Sequence, residues 1–331
     1  MLRDGGPMRS VFFVMVLVGL VSHLTAQDIA KTGGAPLTPQ QALPLMMAGI
    51  NIGNTMEMSF NGPVGEYYFD DFRAAGFTAV RLPVNWGNHS SRVAPYDIAP
   101  VWLDKVEKVV DAALQRGLFV IINGHHENWL KKSYAKPESR ARYDRIWEQI
   151  AHRFRDKSDH LLFEIINEPF GMTAPQVDDL NARILGIIRR ENPTRIVVFS
   201  GNEYSGSDQM MAAAVPNDKF LMAYFHCYDP WSFAGESQGT WTDKDLAALQ
   251  AKLDAVEAWS KKTGVPVMMS EFGAVKTADP QSRKLFYRSY ATEARKHSIA
   301  WQVWDDGGNL ILYLRSSRGW AEVKNELFPA Q

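Results

Sequence analysis

A chain of 331 residues with 46% hydrophobic and 22% charged residues has the composition of an ordinary globular protein, and its length favours one large domain. The formal charge is -1, and no run of lysine or arginine forms the basic stripe that nucleic-acid binding needs, so we expect no nucleic-acid partner. Cys227 is the single cysteine, which excludes an internal disulfide and a multi-cysteine zinc site.

The N-terminus has the pattern of a secretory signal peptide. Arg3 and Arg9 precede an apolar run over residues 11–21, which is shorter than the roughly 20 apolar residues of a membrane-spanning helix. We expect residues 1–26 to be a cleaved signal peptide, so that the protein is secreted or periplasmic and is not stably inserted in a membrane. Glycine and proline predict a flexible lead-in over 27–43, followed by one folded catalytic domain over 44–331.

Short apolar segments alternate along this domain with longer segments of helical period. The predicted strands cover residues 48–52, 79–81, 119–123, 162–165, 196–199, 221–224, 267–270 and 300–304. Segments 101–116, 142–154, 177–190 and 246–263 place apolar residues three and four positions apart, as helices packed on a sheet do. This alternation predicts an α/β fold, a closed (β/α)8 TIM barrel, because an open doubly wound sheet usually carries a glycine-rich phosphate loop near its first strand.

Polar and aromatic side chains collect at the predicted strand ends, where barrels of this type carry their chemistry. In chain order they are Arg81, His125, His126, Asn167, Glu168, His226, Tyr228, Glu271 and Trp304. Cleavage of a glycosidic bond needs one acid and a second carboxylate, and Glu168 and Glu271 can supply both. Either glutamate alone could equally be a solvated loop carboxylate or a charge at a helix start, so the inference depends on the pair.

Two sequence strings resemble the catalytic signatures of glycoside hydrolase family 5, the cellulase family: FEIINEP over residues 163–169 and MSEFG over 269–273. The resemblance continues in GINIGNTME over 49–57, VRLP over 80–83, NGHH over 123–126 and HCY over 226–228. It implies a retaining endo-β-1,4-glycanase, an endoglucanase in the first place, with Glu168 as acid/base and Glu271 as nucleophile. It also implies a monomer that takes a β-1,4-linked polysaccharide or oligosaccharide and needs no cofactor.

The resemblance also assigns supporting roles, position by position. Asn167 would bind the sugar 2-hydroxyl, and Arg81 and Tyr228 would hold Glu271. A guanidinium beside a carboxylate lowers its pKa, whereas an apolar setting would raise the pKa of Glu168, so the two glutamates would acquire opposite roles.

Further contacts with the substrate follow from the same resemblance. His125 matches a substrate-positioning histidine, His226 an acid-supporting histidine, and His126 a sugar-hydroxyl contact found in part of the family. The family pattern places sugar contacts on the glycone side at Asn54, Glu57 and Asp305. Trp304 would lie under the sugar at the cleavage site, with a cis peptide bond between Trp304 and Asp305.

Ten tryptophans in the chain allow a cleft lined by aromatic rings, which pack on the apolar faces of sugars. Four lie in or near loops after strands and are candidates either for outer subsites or for packing: Trp86, Trp129, Trp231 and Trp241. Three lie in helical patterns and indicate core positions: Trp102, Trp147 and Trp259.

Three alternatives remain open at this point. The two-glutamate machinery does not separate glucan from β-mannan or xyloglucan. A non-catalytic carbohydrate-binding barrel would keep the cleft without the chemistry. Histidines and carboxylates at strand ends also ligate zinc, but the H-x-H ligand spacing is missing, and His125 and His126 would project to opposite faces of a continuing strand. We therefore expect no metal site.

Overall fold

The structure is a computed structural model that describes residues 35–58 and 64–328. Eight parallel strands close into a barrel in sequence order, which confirms the predicted TIM barrel. The strands are β1 (Ala48–Asn51), β2 (Ala79–Leu82), β3 (Phe119–Asn123), β4 (Leu161–Glu164), β5 (Val197–Phe199), β6 (Leu221–His226), β7 (Val267–Phe272) and β8 (Ala300–Val303). The predicted signal peptide, residues 1–26, lies outside the described residues.

Helices surround the barrel. Within the described ranges the α-helices are α1 (Pro39–Ala42), α2 (Tyr67–Ala74), α3 (Pro100–Leu114), α4 (Asn128–Lys131), α5 (Pro137–Arg153), α6 (Ala174–Arg189), α7 (Ser207–Ala212), α8 (Trp231–Ala234), α9 (Asp243–Thr263) and α10 (Pro280–Lys296). Short 3-10 helices cover Leu43–Leu45, Gly87–His89, Glu203–Ser205 and Glu322–Leu327. None of the described helices is long and apolar enough to cross a membrane.

The barrel strands are buried on both faces, and alternate side chains serve two cores. One set points into the barrel and includes Phe119, Ile121 and Met222. The other set packs against the helices, as Ile122 and Phe163 do. This division follows from the period of two along a strand, which sends successive side chains to opposite faces.

The segment before β1 closes the end of the barrel at which the strands begin, called the lower end. Thr38 and Gln41 form a capping box at the start of α1, which puts the following residue, Ala42, against the inward core. Ala42 and Met46 are fully buried there. The packed domain therefore begins several residues before 44, within the segment that the sequence predicts to be a flexible lead-in.

The last described residues pack on the same end of the barrel. A two-stranded antiparallel hairpin, β9 (Tyr313–Leu314) and β10 (Gly319–Trp320), follows β8. The chain then returns along α10, and the Phe328 ring lies 5.1 Å from the Phe77 ring and 5.8 Å from the Trp301 ring. Because Phe77 and Trp301 stand at the beginnings of β2 and β8, both described ends of the chain lie opposite the mouth.

Candidate active site

Arg81 organises the centre of the barrel mouth. Arg81 lies on β2 and is fully buried. Its guanidinium donates to both carboxylate oxygens of Glu164 at 2.7 and 2.6 Å. It also donates to Glu271 at 2.6 Å, to Asn167 Oδ1 at 2.6 Å and to Asn51 Oδ1 at 2.9 Å. Charge-assisted bonds of this kind satisfy the guanidinium and fix four partners relative to one another. Arg81 thus holds Glu271 as the sequence predicts, and it also fixes Asn167 through Oδ1.

Glu164 belongs to the hydrogen-bonded cluster around Arg81 and is missing from the sequence candidates. It ends β4, is fully buried, and accepts from Asn123 Nδ2 at 2.9 Å in addition to Arg81. Its signal in the sequence is a glutamate inside an otherwise apolar strand, since a charged residue is seldom fully buried unless it is paired. Arg81 therefore shares one positive charge between two carboxylates, Glu164 and Glu271.

Glu271 lies within β7 and is 5% exposed. One carboxylate oxygen accepts from Arg81, and the other accepts from the Tyr228 hydroxyl at 2.9 Å. Burial raises the pKa of Glu271, while His226 and Arg81 lower it and Glu168 raises it further. The lowering by Arg81 that the sequence predicts is present, but burial outweighs it. Both oxygens are nevertheless fixed by donors, so the orientation of Glu271 is determined.

Glu168 follows β4 in a left-handed backbone conformation, with φ 43°. Its side chain is 28% exposed, and one oxygen lies 2.8 Å from Nδ1 of His226. Burial raises the pKa of Glu168, and Lys131, Arg81 and His126 lower it in that order. Burial also lowers the pKa of His226 to about 4, so this imidazole is neutral near pH 7. Glu168 is thus the carboxyl that reaches solvent and can exchange a proton.

The two glutamates and His226 form one compact group. A carboxylate oxygen of Glu168, a carboxylate oxygen of Glu271 and a ring nitrogen of His226 lie within 4.8 Å of one another. Atoms of these types at this spacing could bind a cation. However, the Arg81 guanidinium lies 2.6 Å from Glu271, and its charge would repel a cation at the centre of the group.

A cavity of about 810 Å³ opens over these groups. Its lining includes Glu168, His226, Tyr228, Trp231, Glu271 and Trp304. The half-buried Trp304 ring is also stacked beside His125, with ring centroids 5.9 Å apart and an interplanar angle of 16°. The indole therefore lines the same cavity as both glutamates.

The backbone at Trp304 differs from the prediction. Within the described residues, the cis peptide bonds precede Pro95 and Pro230, so the bond between Trp304 and Asp305 is trans. The predicted cis bond is wrong. The Trp304 ring lines the cavity without it, and the backbone N–H of Trp304 donates to the Phe272 carbonyl at 2.8 Å.

His125 and His126 lie side by side, not on opposite faces. Strand β3 ends at Asn123, and His126 adopts φ 52°, so the alternation of a strand does not continue. The two rings are 4.5 Å apart at 81°. His125 is 3% exposed and its Nδ1 lies 3.2 Å from Asn123 Nδ2, while His126 is exposed. Burial lowers the pKa of both imidazoles, so both present neutral rings to the mouth.

A second cavity, of about 560 Å³, lies on the β1–β3 side of the mouth. Glu57, Arg92, His126 and Trp129 are among the residues that line it. The Glu57 carboxylate accepts from the backbone N–H groups of Asn54 and Thr55, and the Asn54 amide donates to the Asp306 carbonyl. Glu57 thus borders this cavity, and Asn54 is bonded to Glu57 behind it. Sugar contacts by either residue stay predictions.

The side chain of Asp305 is turned toward the backbone of the C-terminal hairpin, whereas the sequence predicts that it contacts sugar in the cleft. Its side chain is 2% exposed and accepts from the backbone N–H groups of Leu312 and Tyr313, each at 2.6 Å, and from Arg315 at 2.9 Å. These bonds fasten the C-terminal hairpin to the end of β8. Asp305 therefore holds the hairpin in place, and a sugar contact by Asp305 stays a prediction.

The change Asp305→Asn should lower the free energy of unfolding by about 3 kcal/mol, because it leaves the Arg315 charge and a buried N–H without a matched partner. KM for substrate should stay within about twofold of the wild-type value. Denaturant unfolding and steady-state kinetics measure the two quantities. A large rise in KM with unchanged stability would place Asp305 in the substrate site.

The remaining tryptophans divide between cleft and core. Trp231 is 57% exposed and lines the larger cavity, and Trp129 is half-buried in the second cavity. Trp86 and Trp241 are buried packing residues. Trp102, Trp147 and Trp259 pack in or against the core as predicted, and the Trp259 indole N–H donates to the Met211 carbonyl.

Comparison with known proteins places this geometry in a family. The model of the cellulase family, glycosyl hydrolase family 5, matches residues 46–309. The chain belongs to glycosyl hydrolase family 5. Endoglucanase H of Acetivibrio thermocellus is 42% identical over 303 residues, which cover 88% of this chain and 33% of that relative. Endoglucanase B of Clostridium cellulovorans is 34% identical over 331 residues, which cover 91% of this chain and 75% of the relative.

Solved structures of family 5 share the whole barrel. Cel5A of Thermotoga maritima has a TM-score of 0.84 and 28% identity, covering 88% of this chain and 100% of that chain, in structures described as complexes with cellobiose and with mannotriose. This family 5 chain spans about a third of Endoglucanase H, so that relative carries long additional sequence.

Proposed function

We propose that this chain is a retaining endo-β-1,4-glucanase that uses Glu271 as nucleophile and Glu168 as acid/base. The observation that carries the proposal is the pair itself: a Glu271 carboxylate fixed by Arg81 and Tyr228, with an oxygen within 4.8 Å of an oxygen of Glu168. Retaining glycosidases hold their carboxyl groups about 5–5.5 Å apart, whereas inverting enzymes leave about 6.5–9.5 Å for a water molecule.

The geometry supports a double displacement. In the first step Glu271 attacks the anomeric carbon while Glu168 protonates the departing glycosidic oxygen. In the second step Glu168, now ionised, takes a proton from water as the water displaces Glu271. Asn167 Oδ1 accepts a hydrogen bond from Arg81. This bond orients the NH2 group of Asn167 as the donor for the sugar 2-hydroxyl.

Glucan is the favoured substrate because the relatives with the highest identity reported above are named endoglucanases. β-Mannan stays a competitor because the similar barrel of Thermotoga maritima Cel5A has a structure described as a mannotriose complex. The half-buried Trp304 and the exposed Trp231 supply flat apolar surfaces for sugar rings in either case.

A substrate panel with product analysis tests the proposal. Carboxymethyl cellulose, β-mannan and xyloglucan are each incubated with the enzyme, and chain-length analysis should show internal cuts, fastest on the glucan. Proton NMR of the first-formed products should show the β-anomer, and an α-anomer would contradict the double displacement. Inactivity on all three glycans would favour a carbohydrate-binding barrel, and loss of activity with a chelator would favour a metal-dependent hydrolase.

A further inference from the structure

Lys131 is a buried cation at the mouth for which the reaction described above has no use. It is the last residue of α4, in the loop after β3, and is 4% exposed. Its ammonium group lies 4.7 Å from the centre of the Phe170 ring. Among the described residues, no carboxylate oxygen lies within the 4 Å of its nitrogen that defines an ion pair. A lysine is seldom buried without a direct partner, so its retention calls for a reason.

The negative charges around Lys131 are Glu168, Glu127 and Glu271. Burial lowers the pKa of Lys131 to about 8, and these three carboxylates act in the opposite direction, Glu168 most strongly. Lys131 in turn lowers the pKa of Glu168 more than Arg81 or His126 does. Lys131 is therefore the cation to which Glu168 responds most.

Glu127 and Arg81, two other charged groups, have hydrogen-bond partners of their own. Glu127 accepts from the backbone N–H groups of Trp86 and Gly87 at 2.9 and 3.0 Å and from the Trp129 indole. The charge of Arg81 is divided between Glu164 and Glu271. Arg81 is thus paired with other carboxylates, whereas Glu168 is the carboxylate that acts most strongly on Lys131.

Phe170 ties the ammonium to the acid/base. Its backbone N–H donates to the carbonyl of Glu168 at 2.7 Å, which closes a tight turn across Pro169, directly after the left-handed Glu168. Phe170, whose ring contacts the Lys131 ammonium, and Glu168 thus belong to one short loop. A cation over an aromatic face is attracted by the negative face of the ring, and more strongly when it is withdrawn from water.

We propose that Lys131 is a positioning residue for the acid/base: its ammonium group, held over Phe170 of the loop that carries Glu168, supplies the positive charge that balances this carboxyl between its acid and its base role. The inference rests on the proposed function of Glu168. Burial alone favours a protonated Glu168, which suits the first step but weakens the base needed in the second. The nearby cation offsets this bias, so one carboxyl can serve in both steps.

The test compares Lys131→Met, which keeps the apolar stem over Phe170, with Lys131→Arg, which keeps the charge. The acid must be protonated in the first step, so the alkaline limb of kcat/KM follows the pKa of Glu168 in the free enzyme. Loss of the cation raises that pKa, and Lys131→Met should move the limb to higher pH by about one unit, the size expected for a unit charge several ångströms away. Lys131→Arg should leave the limb near the wild-type position.

Other groups that face Glu168 are unchanged in both variants: Arg81, His126, His226, Tyr228 and Glu271. An unshifted limb in Lys131→Met, with only a lower Tm, would overturn the proposal and leave Lys131 a packing residue. An equal shift in Lys131→Arg would overturn it as well, since the charge would then not be the cause.

A titration without turnover separates this inference from the proposed function. In the Glu271→Gln background, carbon-13 NMR of labelled glutamate carboxyls follows Glu168 with and without Lys131→Met. A higher pKa of Glu168 in the double variant supports the inference, and an identical pKa overturns it. Inactivity of the wild-type enzyme on every β-glycan would defeat the proposed function, while the titration would still decide the role of Lys131.

Discussion

Glu271→Gln should lower kcat by at least about 10⁴-fold on every glycoside, whatever the leaving group, because an amide cannot form the covalent glycosyl-enzyme. The fold should survive, since glutamine has nearly the same volume, its amide oxygen can accept from Arg81, and its NH2 group can donate to the Tyr228 hydroxyl oxygen. Steady-state rates on carboxymethyl cellulose and on an aryl cellobioside measure the effect.

Glu203→Gln is the matched control for that experiment. Glu203 is an exposed glutamate on the wall of the same cavity and stands outside the hydrogen-bonded cluster around Arg81. We expect its rates to stay within about twofold of wild type. A Glu271→Gln enzyme that retained more than about 1% of wild-type activity on either substrate would show that another group is the nucleophile.

The loss of kcat/KM in Glu168→Gln should depend on the leaving group of the substrate. On glucan, kcat/KM should fall by about 10²–10⁴-fold, because the departing sugar oxygen needs a proton. On dinitrophenyl cellobioside, whose leaving group needs little protonation, kcat/KM should stay within about tenfold of wild type. Hydrolysis of the intermediate also loses its base, so kcat on this substrate should fall more than kcat/KM.

The pH profile gives an independent check on Glu168. Burial raises the pKa of Glu168, and the wild-type enzyme should lose kcat/KM as pH rises through that pKa, because the acid form disappears. The Glu168→Gln enzyme should lack this alkaline limb on the aryl substrate. Equal losses on glucan and on the aryl substrate would mean that the roles of Glu168 and Glu271 are exchanged or misassigned.

The barrel could be predicted from the sequence because its strands are short apolar runs buried on both faces. The predicted bounds of the third strand, 119–123, agree with β3 (Phe119–Asn123). Helix starts were predicted late: α6 begins at Ala174 instead of 177, and α9 at Asp243 instead of 246. Both helices begin at capping boxes formed by a threonine, and their first three residues, Ala-Pro-Gln and Asp-Lys-Asp, lack large apolar side chains, so apolar periodicity alone does not find these starts.

The parts of the site that escaped prediction depend on side-chain direction and on burial. Glu164 is the last residue of β4 and lies within the predicted strand 162–165, so a search of the residues past the strand ends omits it. Asp305 lies past a strand end as expected, but its side chain turns toward the backbone of the C-terminal hairpin. The pKa of Glu271 is raised because desolvation outweighs the neighbouring Arg81, and that balance exists only after the chain has folded.

The closed lower end of the barrel determines how this enzyme can be tethered. Leu37 and Gln40 are bonded to Asp159 and Gly264, which precede β4 and β7, and Phe328 packs below β2 and β8. Both described ends thus leave the barrel on the face remote from Glu168 and Glu271. A bead, a surface or a fused binding module attached at either end would leave the mouth accessible to a long polymer.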